Sequence, residues 1–256
     1  MIDSITPIPA LRDNYIWMLQ DHASRHVWVV DPGDAAPVIH TLQQHHLILA
    51  GILLTHHHMD HSGGIAALVS EMNHIPVIGS HRSKIPFITQ PVRDQDEINC
   101  LGQTMQVMEI PGHTLDHTAF YINGKILFSG DTLFSAGCGR IFEGTPEMMY
   151  QSLCKLLKLN DTTRLYCGHE YTLANLSFAE IVEPHNTAIQ QKKHAAAKAD
   201  NSCTLPSTLH DEKTFNPFLR CDIPEVIAAT EKRIGHKMKT ATEVFTALRE
   251  WKSQTS

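Results

Sequence analysis

From Thr55 the chain reads Thr-His-His-His-Met-Asp-His, so that His56, His58, Asp60 and His61 are four potential metal ligands within six positions. Residues two apart on an α-helix point to nearly opposite faces, so a helix could not present His56 and His58 to one ion. Helical zinc motifs space their two histidines four apart for that reason. The run is therefore expected to be a loop or turn that wraps its ligands around something. Whatever the chain folds into must hold that loop rigidly from both sides.

The flanking sequence supplies such a frame. Residues 15–19, 27–30, 51–55 and 76–79 read as strands rich in β-branched and aromatic residues, and residues 36–44 and 65–69 as helices between them. Asp31-Pro32-Gly33-Asp34 is a turn that ends the second strand. Further on, one pattern of apolar strand, turn and candidate ligand occurs three times. Residues 106–110 lead to Gly112-His113, residues 126–129 to Gly130-Asp131, and residues 164–167 to Gly168-His169. A strand end fixes the residue that follows it, and a glycine before each ligand permits a tight turn. After about residue 172 strand signals nearly vanish, and residues 173–181, 187–198, 223–231 and 242–252 read as helices. The expected division is a metal-binding domain over 1–172 and a helical domain over 173–256.

His56, His58, Asp60, His61, His113, Asp131 and His169 form a set of five imidazoles and two carboxylates. That is too many ligands for one tetrahedral ion and suits two ions held by nitrogen and oxygen. With no thiolate among them, the set does not match a closed structural zinc site. An open pair of cations would lower the pKa of a bridging water from ~15.7 to about 7 and so yield a nucleophile at neutral pH. Zinc is the favoured occupant, and iron and manganese accept the same donors. His57 is expected to be a bystander that points away from its neighbours. The histidines scattered elsewhere, such as His40 and His194, are ordinary surface or hydrogen-bonded residues.

Bulk properties exclude several classes. A formal net charge of −6 does not advertise a nucleic-acid surface. No apolar stretch is long enough to span a bilayer. The six cysteines are scattered without a Cys-x-x-Cys pair, and the first residues lack a basic start and apolar run, so a cytoplasmic location is expected. A monomer is expected.

The ordered set His-x-His-x-Asp-His, Gly-His-Thr, Gly-Asp-Thr and Gly-His-Glu resembles the metallo-β-lactamase superfamily. The segments Asp13-Asn14-Tyr15, Val30-Asp31-Pro32-Gly33-Asp34, Gly130-Asp131-Thr132-Leu133-Phe134, Gly137-Cys138-Gly139-Arg140, Phe142-Glu143-Gly144-Thr145, Gly168-His169-Glu170-Tyr171-Thr172 and Phe215-Asn216-Pro217-Phe218-Leu219-Arg220 are similar to the glyoxalase II, or hydroxyacylglutathione hydrolase, family. They span nearly the whole chain. The resemblance implies an α/β fold, a four-layer αββα sandwich with a smaller helical C-terminal domain. It implies that His56, His58 and His113 hold one metal and Asp60, His61 and His169 a second, with Asp131 bridging. It implies hydrolysis of the thioester of S-D-lactoylglutathione by a metal-bridging hydroxide, with Asp60 and Asp131 at the reacting centre. Methylglyoxal detoxification is the implied role.

The same resemblance implies glutathione contacts from Arg140, Phe142, Tyr171, Asn175, Arg249 and Lys252. Arg249 and Lys252, three apart, lie on one helical face suited to clasp a carboxylate. Two departures stand out. Phe142 occupies a position where eukaryotic relatives have Tyr, so it cannot donate a hydroxyl hydrogen bond. Asp116 stands where the family pattern has Gly and adds a charge near the site. Asp13, Asn14 and Tyr15 are expected only to shape the wall, and His117 to stand behind the ligands. The competing readings are a glutathione persulfide dioxygenase with one iron, and a non-catalytic metal-binding protein of the same fold.

Overall fold

The computed structural model describes residues 2–72, 74–198 and 203–255. The first half runs β1 (Ser4–Ala10), β2 (Asn14–Gln20), β3 (His26–Val30), α1 (Ala35–His45), β4 (Ile48–Leu53), α2 (Met59–Ser62), α3 (Ile65–Met72), β5 (Val77–Ser80) and β6 (Gln90–Val92). The second sheet is laid down by β7 (Glu97–Cys100), β8 (Gln103–Glu109), β9 (Thr118–Ile122) and β10 (Ile126–Gly130). A small hairpin, β11 (Leu133–Phe134) and β12 (Gly137–Cys138), precedes α4 (Pro146–Leu156) and β13 (Arg164–Cys167). The remainder is α5 (Thr172–Val182), α6 (Thr187–Ala197), β14 (Ser207–Thr208), α7 (Leu209–Phe215), a 3₁₀ turn (Pro217–Leu219), α8 (Pro224–Ile234) and α9 (Ala241–Thr255).

Two sheets of six strands result, ordered β1-β2-β3-β4-β5-β6 and β14-β13-β10-β9-β8-β7. Strand alternation builds the layers, because successive side chains point to opposite faces. In β2, Trp17 and Leu19 enter the core between the sheets, while Ile16 and Met18 face the helices α1 and α3. In β3, Trp28 and Val30 point inward, and Val27 and Val29 pack with Val38 and Leu42 of α1. From the second sheet Val107, Phe120 and Phe128 meet the inner core, and Leu127 and Leu165 turn outward to α4, α5, α8 and α9. Helices therefore cover both outer faces, which gives the four-layer αββα sandwich. Helix starts are fixed locally: Asp34 accepts the Ala36 N–H at α1, and Thr145 accepts the Met148 N–H at α4, where Pro146 opens the helix.

Beyond residue 172 one short strand stands among the described residues, Ser207–Thr208, which pairs antiparallel with β13 at the edge of the second sheet. A two-residue strand carries no alternation to read. The histidine run is a loop only as far as His58. Met59–Ser62 is a single helical turn, with the Ser62 N–H bonded to the His58 carbonyl at 2.9 Å. His56 and His58, two apart, lie in the non-helical part of the run. Asp60 and His61 are adjacent in sequence, and a helical turn can carry both.

The loops at the carboxyl ends of β3, β4, β8, β10 and β13 converge on one edge of the sandwich, the usual place for function in such folds. The Tyr15 N–H donates to the Gly168 carbonyl at 2.8 Å and stitches the two sheets together there.

Candidate metal centre

At that edge the candidate ligands fall into two triads. His56, His58 and His113 offer ligand atoms within 4.8 Å of one another, as do Asp60, His61 and His169. In the first triad His58 Nδ1 lies 3.1 Å from His56 Nε2 and 3.0 Å from His113 Nε2. In the second, His61 Nε2 and His169 Nε2 are 3.2 Å apart, and Asp60 Oδ2 is 3.5 Å and 3.4 Å from them. Tetrahedral coordination with metal–nitrogen bonds of 2.0–2.1 Å sets ligand atoms about 3.3 Å apart. Asp131 stands between the triads: Oδ2 is 3.5 Å from His113 Nε2 and 3.3 Å from His169 Nε2, and Oδ1 is 3.4 Å from His61 Nε2. Oδ1 is buried and has no hydrogen-bond donor among the described residues. Converging imidazoles with an orphaned, buried carboxylate oxygen fit a divalent-cation centre.

The nitrogens that face away from the triads are held. His61 Nδ1 lies 3.0 Å from Asp31 Oδ2, His169 Nδ1 2.7 Å from Asp13 Oδ1, and His113 Nδ1 2.7 Å from the Arg140 carbonyl. His56 Nδ1 is 3.0 Å from the Thr55 hydroxyl, which itself donates to Asp31 at 2.6 Å. Such partners fix the ring orientation of a ligating histidine. Asp13 is thus more than a wall, and Asp31, quoted from sequence only within a family-like segment, holds His61 directly and His56 through Thr55. Its other signal was a carboxylate directly after a strand, the position Asp131 also occupies. His117 Nε2 accepts the Asp131 N–H at 3.0 Å, and its ring stacks on His56 at 4.7 Å.

The glycines before the ligands act through space as well as turn geometry. Gly130 has φ +48, and a Cβ there would lie 2.4 Å from Thr55 Oγ1. Gly168 has no positive φ, but a Cβ would lie 2.5 Å from Asp131 Oδ1.

Electrostatically the triads differ. Burial and neighbouring imidazoles hold His56 well below its ordinary pKa, and burial lowers His58 and His113 too. Burial also opposes charge on His61 and His169, yet Asp131, with Asp31 and Asp60, outweighs it, raising His61 well above its ordinary value and His169 to about 10. The carboxylates at this end demand positive charge.

A cavity of about 600 Å³ opens onto the centre. Its walls include His58, Asp60, His113, Asp131 and His169 together with all of Arg140, Phe142, Tyr171, Asn175, Arg249 and Lys252. Arg12 also lines it and was not singled out from sequence. Tyr171 stacks on His169 at 4.7 Å, and Phe142 meets His58 and His113 edge-on while 64% exposed. Arg249 and Lys252 are buried rather than solvated: Arg249 Nη1 donates to the Cys138 carbonyl at 2.8 Å, and Lys252 Nζ to Asn175 Oδ1. His57 belongs to neither triad, but it is no bystander. Its Nδ1 lies 2.9 Å from Asp116 Oδ1 and its Nε2 3.4 Å from Glu143 Oε1.

The sequence profile of the metallo-beta-lactamase superfamily matches residues 12–169, and that of the hydroxyacylglutathione hydrolase C-terminus matches residues 170–255. Hydroxyacylglutathione hydrolase 2 of Vibrio vulnificus is 48% identical over 252 residues, 98% of each chain. Among solved structures, ETHE1 from Myxococcus xanthus superposes with a TM-score of 0.68 at 25% identity, covering 98% of this chain and 90% of its own. TTHA1623 in a di-iron-bound form gives 0.53 at 30% identity, covering 64% of this chain and 92% of its own.

Proposed function

The chain belongs to the hydroxyacylglutathione hydrolase family of the metallo-beta-lactamase superfamily, and we propose that it cleaves the thioester of S-D-lactoylglutathione to D-lactate and glutathione at a two-cation centre. The observation that carries this reading is the position of Asp131 between two ligand triads, on the wall of a cavity that also holds Arg140, Arg249 and Lys252. In this reading His56, His58 and His113 would hold one cation and Asp60, His61 and His169 the other, with Asp131 placed to serve both. Divalent cations there supply Lewis acidity and bring the pKa of a water from ~15.7 to about 7. Zinc suits the imidazole-rich donor set, and iron and manganese accept it as well.

The protein's own groups account for the rest. The Asn14 amide donates to Asp60 Oδ2 at 3.1 Å and holds that half-exposed carboxylate against the cavity. Asp60 and Asp131 orient the attacking water. The water gives one proton to solvent, and its oxygen bonds to the acyl carbon. The carbon–sulfur bond breaks with its electron pair going to sulfur, and glutathione leaves as thiolate beside D-lactate, whose acid proton is also lost to solvent. A thiol pKa of about 8.5 makes that a fair leaving group, so no dedicated general acid is needed. Arg249, Lys252 and Arg140 supply cationic charge for a glutathione carboxylate, with Tyr171 and Asn175 beside them. Phe142 offers a ring edge where a phenol would donate a hydrogen bond.

The test is thiol release from S-D-lactoylglutathione, with metal content measured on the same sample. A two-metal preparation that releases no thiol overturns the assignment. Oxygen consumption with glutathione persulfide, by protein that holds one iron, would support the dioxygenase instead.

A further inference from the structure

Three loops meet at His57. Its Nδ1 is 2.9 Å from Asp116 Oδ1 and its Nε2 3.4 Å from Glu143 Oε1. Asp116 lies in the loop that presents His113, is 5% exposed, and also accepts the Thr114 hydroxyl at 2.7 Å. Glu143 Oε2 accepts the Leu115 N–H at 2.9 Å, which ties the 140–144 segment to that same loop. The two segments are further joined at His113 itself, whose Nδ1 faces the Arg140 carbonyl at 2.7 Å and whose carbonyl accepts the Phe142 N–H at 3.1 Å. His57 adds the missing third side, because its chain neighbours are His56 and His58. Burying a carboxylate such as Asp116 is costly unless it is paired. Here the pairing falls on an imidazole between two candidate ligands.

We propose that His57 is a positioning residue for the triad His56, His58 and His113. With Asp116 and Glu143 it clamps the loops that present those imidazoles and fixes their separation. The inference rests on the two-cation reading of the centre but concerns groups outside both triads, of which His57 meets the His58 ring edge-on at 5.1 Å. The three side chains also lie within 4.8 Å of one another, and Asp116 Oδ2 is buried with no donor among the described residues, so a cation held there is the rival outcome. Both carboxylates already accept donors of the 113–116 loop, Asp116 the Thr114 hydroxyl and Glu143 the Leu115 N–H, which favours the clamp.

Release of Co²⁺ from the reconstituted protein to excess chelator decides between them. In His57→Ala and Asp116→Ala, one of two equivalents should leave about tenfold faster than in the parent protein, the other unchanged. Asp116→Asn, which keeps an acceptor oxygen for His57, should restore the parent rate. If His57→Ala does not fold, Glu143→Ala should quicken the same phase. Parent-like release of both equivalents in these variants overturns the clamp, even if they melt at lower temperature. A third equivalent bound by the parent protein and lost in Asp116→Ala overturns it in favour of a cation site. Parent protein that holds fewer than two equivalents overturns the two-cation reading instead, and the release rate of what is bound still decides the clamp.

Discussion

Asp131 Oδ2 lies 3.5 Å from His113 and 3.3 Å from His169, so a single oxygen faces both triads. Its carboxyl is kept ionised against burial by His61 and His169. Asp131→Asn preserves the shape and removes the charge. Metal per chain should fall below that of the parent protein and kcat should drop by at least about 100-fold, checked by elemental analysis and thiol release on one sample. Lys252 carries a different prediction. Burial, and then the charge of Arg249, push its pKa down to about 7. The lowered value means that Lys252 loses its charge as the pH rises through neutrality. In the proposed reading a glutathione carboxylate binds the charged form, so KM should rise up to about tenfold between pH 6.5 and 8.5 while metal content stays constant. Lys252→Arg, which keeps its charge, should flatten that rise. A steep KM profile in the Arg variant would place the titrating group elsewhere. At this scale the candidate ligands were legible because dense histidines at strand ends stand out in a sequence. Asp13 and Asp31 were not, since a lone carboxylate after a strand or in a turn looks like ordinary turn chemistry.

At the scale of elements, the hairpin β11–β12 links the centre to the C-terminal helices. It begins two residues after Asp131, and Phe134 and Cys138 line the cavity. Its backbone is held from outside by buried side chains: the Asn216 amide donates to the carbonyls of Phe134 at 3.2 Å and Gly137 at 3.1 Å, and Glu212 accepts the Ala136 N–H at 2.8 Å. Arg249 holds the Cys138 carbonyl at 2.8 Å. Two residues per strand give no periodicity, so the sequence offered motif letters here but no element. Asn216→Ala leaves buried carbonyls without donors and should cost about 2–4 kcal/mol, read from denaturant unfolding. Because the hairpin forms the cavity wall and the ligands sit on other strand ends, KM should rise more than kcat falls, with metal content retained. An unchanged KM alongside lost stability would reduce Asn216 to a packing role.

For the whole molecule, strands such as β2, β3 and β10 were legible because they alternate cleanly or run wholly apolar between turns, whereas their arrangement in two covered sheets was implied only by the family resemblance. The packing of the last helices was not, because long-range contact leaves no local signature. Phe178 of α5, Phe218 of the 3₁₀ turn, Val226 of α8 and Phe245 and Leu248 of α9 share one core with Leu127 and Leu165 of the second sheet and Leu153 of α4. A chain divided near residue 172 in sequence thus has a common core across that point. A Leu→Ala change in a fully buried position costs about 2–5 kcal/mol, and Leu248 is 0% exposed. In a chain this long each kcal/mol moves Tm by about 2–4 °C. If the helices and the second sheet unfold together, Leu248→Ala should lower one transition by roughly 4–20 °C. Trp251 lies in α9, whereas Trp17 and Trp28 belong to the core between the sheets. Melts of Leu248→Ala followed by fluorescence, with and without Trp251→Phe, should therefore share a midpoint. An early transition seen only when Trp251 is present would mean that the C-terminal helices melt as a unit of their own.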